Sequence, residues 1–236
     1  MKNILRLFFV VITLVSTHAF CNTETNETTI GVLAFRPPAE TMRAWQPLAD
    51  TLNKAIPNKN FVIKALSYKE LNEQVARGGL DFVFTNPEHY VALEVKHGVT
   101  RIATIVRAGP KGSRLKSFGG TIIARADNKD VESINDIKGK KIAAVSRESL
   151  GGYLAQAGVL YDADIDITNK KDILFTDMPH DKVVLAVRDK KADVGFIRSS
   201  VLEMMAKNGI IKLSDFKVIN KQNFSAHPYA ISTPLY

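Results

Sequence analysis

The run Ile142-Ala143-Ala144-Val145-Ser146-Arg147-Glu148-Ser149-Leu150-Gly151-Gly152-Tyr153-Leu154-Ala155 decides how the chain is read. Its apolar start reads as a buried strand. A Ser/Gly turn follows, then an amphipathic helix with Tyr153, Leu154, Ala157, Leu160 and Tyr161 on one face. A strand that passes through hydroxyls and glycines into a helix start is a ready anion site. The first-turn amides lack intrahelical partners, the helix dipole is positive there, and glycine admits a ligand to the backbone. The plainer reading is an ordinary strand-to-helix loop with a capping serine.

The flanking sequence repeats the strand–helix alternation. On the C-terminal side, residues 173–175 read as a strand, and Pro179-His180-Asp181 opens a helix carrying Val183, Val184 and Val187. Residues 193–197 form a further strand. Arg198-Ser199-Ser200 leads into a helix in which Ser200 and Glu203 stand at capping-box spacing, and residues 213–219 read as a return strand. On the N-terminal side, residues 22–29 read as a polar leader and 30–35 as a first strand, closed by Arg36-Pro37-Pro38. Met42, Trp45, Ala49, Leu52 and Ile56 recur at helical spacing around Pro47, with Trp45 read as packing. Residues 61–66 are a strand, and Ser67-Tyr68-Lys69-Glu70 is a capping box that opens a helix ending at Gly78-Gly79. Residues 81–84 are a strand running into Asn86-Pro87-Glu88, where an amide cap, a first-position proline and a first-turn acid coincide. Residues 101–106 give another strand.

Gly109, Pro110, Gly112 and Ser113 interrupt this rhythm within 108–116, which reads as a hinge. Residues 119–124 then begin a second series, with a short helix at 133–137. Two α/β series of parallel type, joined by a Gly/Pro crossover, describe a two-lobed molecule whose cleft collects the strand-to-helix junctions. The expected lobes are 28–114 with 215–236, and 115–214.

Composition fits a globular protein: of 236 residues, 45% are hydrophobic and 24% charged. Lys2 and Arg6, an apolar core over 7–15 and small residues at 16–19 read as a signal peptide, residues 1–21, with cleavage near 19–21. The apolar core is too short to span a bilayer, so the expected location is the periplasm, with membrane contact only through a partner. Cys21 is preceded by Phe20 rather than a small residue, which disfavours lipid anchoring. The net charge of +8 is spread in short clusters such as Lys138, Lys140 and Lys141, without a basic stripe interleaved with aromatics. That argues against nucleic acid and for a mild attraction to small anions. No Ser-His-Asp, cysteine-nucleophile, zinc or Walker pattern appears, so neither an enzyme nor a cofactor or metal is expected.

Gly31-Val-Leu-Ala-Phe-Arg36, Trp45-Gln-Pro-Leu-Ala49, Asp81-Phe-Val-Phe-Thr-Asn-Pro-Glu-His-Tyr90, Ser146-x-x-Ser149-x-Gly-Gly-Tyr153, and His180-Asp181 ahead of Ala192-Asp-Val-Gly-Phe196 stand in one order. As a set they resemble the phosphate/phosphite/phosphonate-type periplasmic substrate-binding family, and most closely the periplasmic region of tetrathionate-sensor-like histidine kinases. The resemblance covers residues 30–236. It implies the type II periplasmic-binding-protein fold, with hinge strands and a first lobe shortened at its C-terminal end. It also implies hinge closure on a small oxyanion or organic anion, with an ABC permease or a membrane sensor kinase as partner. Leu150 stands within a run where the phosphonate binders carry hydroxyls, which points away from a phosphonate ligand.

The turn matching Ser146, Arg147, Ser149, Gly151, Gly152 and Tyr153 supplies one candidate jaw; Ser149 and the glycine amides are its preferred donors. Arg147 reads either as an oxyanion clamp or as a solvated charge. Thr85, Asn86 and Tyr90 supply the other jaw, with Asn86 also a plain helix cap and either His89 or Tyr90 packed in the core. His180 and Asp181 face the same cleft in the family's pattern. Arg198 is a cationic candidate, and Phe35 and Arg36 end the first strand on the ligand side.

Overall fold

A computed structural model describes residues 27–108, 114–115, 118–221 and 230–233. The expected signal peptide and Cys21 lie outside the described residues, as does most of the expected hinge.

Alternating apolar residues build two five-stranded sheets. The first takes β1 (Glu27–Leu33), β2 (Asn60–Leu66), β3 (Phe82–Thr85), β4 (Thr100–Thr104) and β12 (Ala230–Thr233), in the order β2-β1-β3-β12-β4. β1 is parallel to β2 and β3, and β12 runs antiparallel between β3 and β4. Side chains alternate between its faces, so Ile30 and Val32 enter one core cluster, with Phe84 and Trp45, while Leu33 and Val83 enter the other, with Leu71 and Leu93. Helices α1 (Pro38–Ala55), α2 (Tyr68–Ala76) and α3 (Pro87–His97) connect these strands, and Pro47 sits inside the single helix α1.

The second sheet takes β7 (Gly120–Arg125), β8 (Ile142–Ala144), β9 (Leu174–Phe175), β10 (Val194–Arg198) and β11 (Phe216–Lys221), in the order β11-β7-β10-β8-β9. Ile122 and Phe196 face one cluster and Ile123 and Ile197 the other. Its helices are α4 (Ala155–Tyr161), α5 (Asp181–Arg188) and α6 (Val201–Lys207). Between the sheets, β5 (Arg107–Ala108) and β6 (Arg114–Leu115) pair as a short antiparallel ribbon at the described ends of the expected hinge.

Several expectations need correction. Both sheets are mixed, because β12 joins the first and β7 and β11 the second in antiparallel sense. Residues 216–221, expected in the first lobe, instead form β11, which pairs with β7 in the second sheet, and β12 is the strand that returns to the first. The leader is shorter than read, since β1 begins at Glu27. The expected amphipathic helix does not follow the Ser/Gly turn directly; a π-helical turn, Leu150–Leu154, holds Tyr153 and Leu154 ahead of α4, and Tyr161 turns outward to 68% exposure instead of joining their face. Ser200 and Glu203 form no capping box. Ser200 sits at φ 72°, in the left-handed region, with no side-chain hydrogen bond to the helix start.

Candidate functional site

Where β3 runs into α3, Asn86 caps the helix by accepting the His89 N–H on Oδ1 (3.1 Å), and Pro87 takes the first helical position. His89 is buried, with Nε2 3.1 Å from Asn72 Oδ1. A carbonyl oxygen can only accept, so Nε2 carries the proton and Nδ1 is an acceptor. The Thr85 hydroxyl, 2.7 Å away, therefore donates to Nδ1. Burial, reinforced by Lys96, pushes the His89 pKa down to about 4, so the ring is neutral near pH 7. The Thr85 proton is thus committed inward. The other edge of Asn86 donates from Nδ2 to the Tyr68 hydroxyl (2.6 Å). Tyr68 is set at the start of α2 by the Ser67–Glu70 capping box.

In the second lobe, β8 leads into the π-turn through a set of local bonds. The Ser149 N–H donates to the Ser146 carbonyl, and the Ser149 carbonyl accepts from Gly152 (3.3 Å) and Leu154 (3.1 Å). The Gly151 amide stands in the first turn of this π-helix, the place where helix-start amides lack intrahelical partners. The two glycines have a steric reason as well. A Cβ on Gly152 would lie 2.7 Å from Val145 Cγ2 and 2.8 Å from both His180 Cε1 and Ser149 Oγ. One on Gly151 would lie 2.8 Å from Phe118 and 3.1 Å from Arg198.

The imidazole of His180 completes this wall. Its Nδ1 accepts the Arg198 backbone N–H (3.2 Å), which places the ring proton on Nε2. Burial first, then the Arg198 and Arg36 charges, push its pKa down to about 3, so it acts as a neutral donor.

These pieces meet in one small cavity of about 10 Å³ between the sheets. Phe35, Tyr68 and Asn86 line it from the first lobe, and Ser149, Gly151, His180 and Arg198 from the second. Phe118, Leu150 and Met178 make its walls apolar. Leu150 and Phe118 also pack into the first lobe's cluster around Phe35, Phe84 and Trp45, which joins the lobes by apolar contact. Outside it lies a wide cleft of about 960 Å³, bordered by Arg36, Tyr68, Lys69, Ser146, Glu148 and Lys182 among others. Across it Arg36 Nη1 bonds Asp181 Oδ1 at 2.8 Å, while Nη2 reaches Met204 Sδ at 3.2 Å.

The sequence candidates therefore separate. Phe35, Asn86, Ser149, Gly151, His180 and Arg198 converge on the cavity, and Arg36, Asp181 and Ser146 belong to the outer cleft or its closure. Gly152 supports the turn from behind. Arg147 stands over the rings of Tyr153 and Phe175, 5.6 and 5.2 Å from their centroids, and donates to the Thr168 and Lys170 carbonyls and to the Tyr153 hydroxyl. It is a strut rather than a clamp or a solvated charge. Tyr153 is core, with its hydroxyl on the Ile167 carbonyl. Tyr90 donates to Glu94 on its own helix, and Thr85 to His89. Tyr68, Phe118 and Met178 were missed; the one available signal was Tyr68's place beside a helix cap at the end of a strand. Among the described residues no group of three or more metal-ligating side chains occurs, and no helix is long and apolar enough to cross a membrane.

Two mixed α/β lobes with a small cavity between them make the type II periplasmic-binding-protein fold, and solved structures agree on it. A binding protein component of an ABC phosphonate transporter from Pseudomonas aeruginosa matches with TM-score 0.68 at 17% identity, over 88% of this chain and 68% of that one. PhnD1 from Prochlorococcus marinus, solved with methylphosphonate, matches with TM-score 0.71 at 15% identity, over 89% and 77%. Residues 30–235 match the ABC transporter, phosphonate, periplasmic substrate-binding protein family, and the chain belongs to it. It is 31% identical over 207 residues to the tetrathionate sensor histidine kinase TtrS of Salmonella typhimurium, covering 88% of this chain and 35% of that protein. It is 24% identical over 206 residues to the phosphate-import protein PhnD of Mycolicibacterium smegmatis, covering 84% and 63%. The chain thus spans less than two thirds of the length of either relative.

Proposed function

We propose that the protein captures a small anionic solute between its lobes by hinge closure and hands it to an ABC-type importer, without catalysing a reaction. The observation that carries this is the cavity shared by both lobes. Ser149, the Gly151 amide and neutral His180 offer hydrogen-bond donors, Arg198 offers charge, and Tyr68 and Asn86 close from the opposite side. Phosphonates, phosphate and sulfur oxyanions all fit this chemistry. Leu150, Phe118 and Met178 favour an anion with an apolar or polarisable body over a fully hydroxylated one. The signal peptide read in residues 1–21 and the family's periplasmic setting support a periplasmic location.

A second reading is favoured by the identity to TtrS, which exceeds that to the importer protein. In it the closed form is presented to a membrane sensor kinase instead of a permease.

A thermal-shift panel of phosphate, methylphosphonate, sulfate, thiosulfate and tetrathionate tests the shared core of both readings. A ligand at a hundredfold excess over its Kd stabilises by about 2.7 kcal/mol, which moves Tm by several degrees. A flat response across the panel with well-folded protein overturns the small-oxyanion assignment.

A further inference from the structure

Gln156 is buried in the second lobe, on the first turn of α4, behind the residues that line the cavity. Its Nε2 lies 2.9 Å from the Gly151 carbonyl, 2.9 Å from the Ile197 carbonyl and 3.2 Å from the Thr121 carbonyl. The two shorter bonds matter most, because each grips the back of a peptide whose N–H holds a residue of the site, His180 in one case and Ser149 in the other. A peptide is planar and trans, so its C=O and the following N–H point in opposite directions. Holding the Ile197 carbonyl inward turns the Arg198 N–H the other way, and that N–H donates to His180 Nδ1. Holding the Gly151 carbonyl inward likewise turns the Gly152 N–H toward Ser149.

The second of these peptides joins two glycines, the residue type with the least resistance to backbone rotation. The tether therefore helps to keep the Gly152 N–H on the Ser149 carbonyl, and with it the shape of the turn that carries Ser149 and the Gly151 amide. We infer that Gln156 is a positioning residue: one buried amide that sets the direction of the Gly151–Gly152 peptide and the tautomer of His180. This inference rests on the anion-binding reading above for its purpose, though its geometry stands apart from any ligand.

Gln156→Met keeps the length of the side chain and removes both donors. Imidazole ¹⁵N spectra of the wild-type protein should show His180 as a single neutral tautomer with the proton on Nε2. In Q156M that signal should give way to a mixture of tautomers, an effect that a merely space-filling residue would not produce. Binding of methylphosphonate, phosphate and thiosulfate is measured by calorimetry alongside. The probe that binds wild type should lose at least tenfold in affinity. An unaltered His180 spectrum, or affinity within twofold of wild type, overturns the assignment. If wild type binds none of the three probes, the anion-binding reading fails while the tautomer measurement still decides the role of Gln156. Should Q156M fail to fold, exchange of the Gln156 side-chain amide protons in wild type decides instead. Protection like that of core backbone amides supports the tether, and exchange within seconds overturns it.

Discussion

Arg36 and Asp181 lie far apart in sequence, one in the bend between β1 and α1 and the other at the start of α5, and meet between the lobes at 2.8 Å. Their side chains keep 27% and 20% exposure, so water still screens the pair. An ion pair of this kind is worth about 1 kcal/mol at most. Its effect falls on the opening equilibrium, because separating the lobes breaks it. Asp181→Asn should weaken binding of the panel's best anion by about fivefold at low salt, with a smaller loss as salt rises. The double replacement R36D with D181R should recover most of it. Calorimetry across a salt series checks this, and a salt-independent D181N effect contradicts it.

Ser149 is buried, with 2% of its surface exposed, which leaves little room for a larger side chain. Ser149→Ala is the clean probe. It should keep Tm within a few degrees and cost about tenfold in anion affinity, the scale of one hydrogen bond to a charged group. Equal affinities for S149A and wild type place the ligand away from this turn.

Tyr68→Phe removes the acceptor of the Asn86 amide. Loss of the hydroxyl leaves a part-buried donor unmet and should cost about 1 kcal/mol of stability, read from urea unfolding. Anion affinity should fall as well, and a change in stability without any change in affinity assigns Tyr68 to packing.

His89 and His180 have folded pKa values of about 4 and about 3, both below the unfolded value of 6.5. Between those limits the unfolded chain binds the protons, so stability is fully present above about pH 7 and falls as pH drops. Each histidine should contribute up to about 1.4 kcal/mol per pH unit near pH 5. Urea midpoints from pH 8 to pH 4.5 measure the slope, which His180→Asn should reduce. Affinity for a strong-acid anion such as sulfate or thiosulfate should stay flat between pH 8 and pH 5, because His180 remains neutral throughout.

Gly152→Ala should destabilise the protein by about 1–3 kcal/mol through overpacking, because Val145, His180 and Ser149 all stand within 2.8 Å of the new methyl. Denaturant unfolding reads this directly.

The order of strands and helices was legible because it rests on local signals. The Ser67–Glu70 box, the Asn86-Pro87 start and the apolar runs of β1, β3 and β10 each act within a few residues. What escaped was non-local. β11 looks like any strand, and only its register with β7 assigns it to the second sheet. Arg147 found its acceptors on Thr168 and Lys170, a loop that no spacing rule connects to it. Ser200 and Glu203 had the right spacing, but the left-handed backbone at Ser200 turns the hydroxyl away from the helix start. Tyr68 reads as a packing aromatic until the fold brings Asn86 to its hydroxyl.

Leu150 and Phe118 sit in the same apolar cluster as Phe35, Phe84 and Trp45. Bringing the lobes together therefore removes hydrocarbon from water, as folding itself does. Capture of even a strongly polar ion should then carry a negative heat-capacity change. Its enthalpy will shift with temperature, and the apolar part of its driving force will fade in the cold. The calorimetric signature will belong less to the ion than to the leucine that closes behind it.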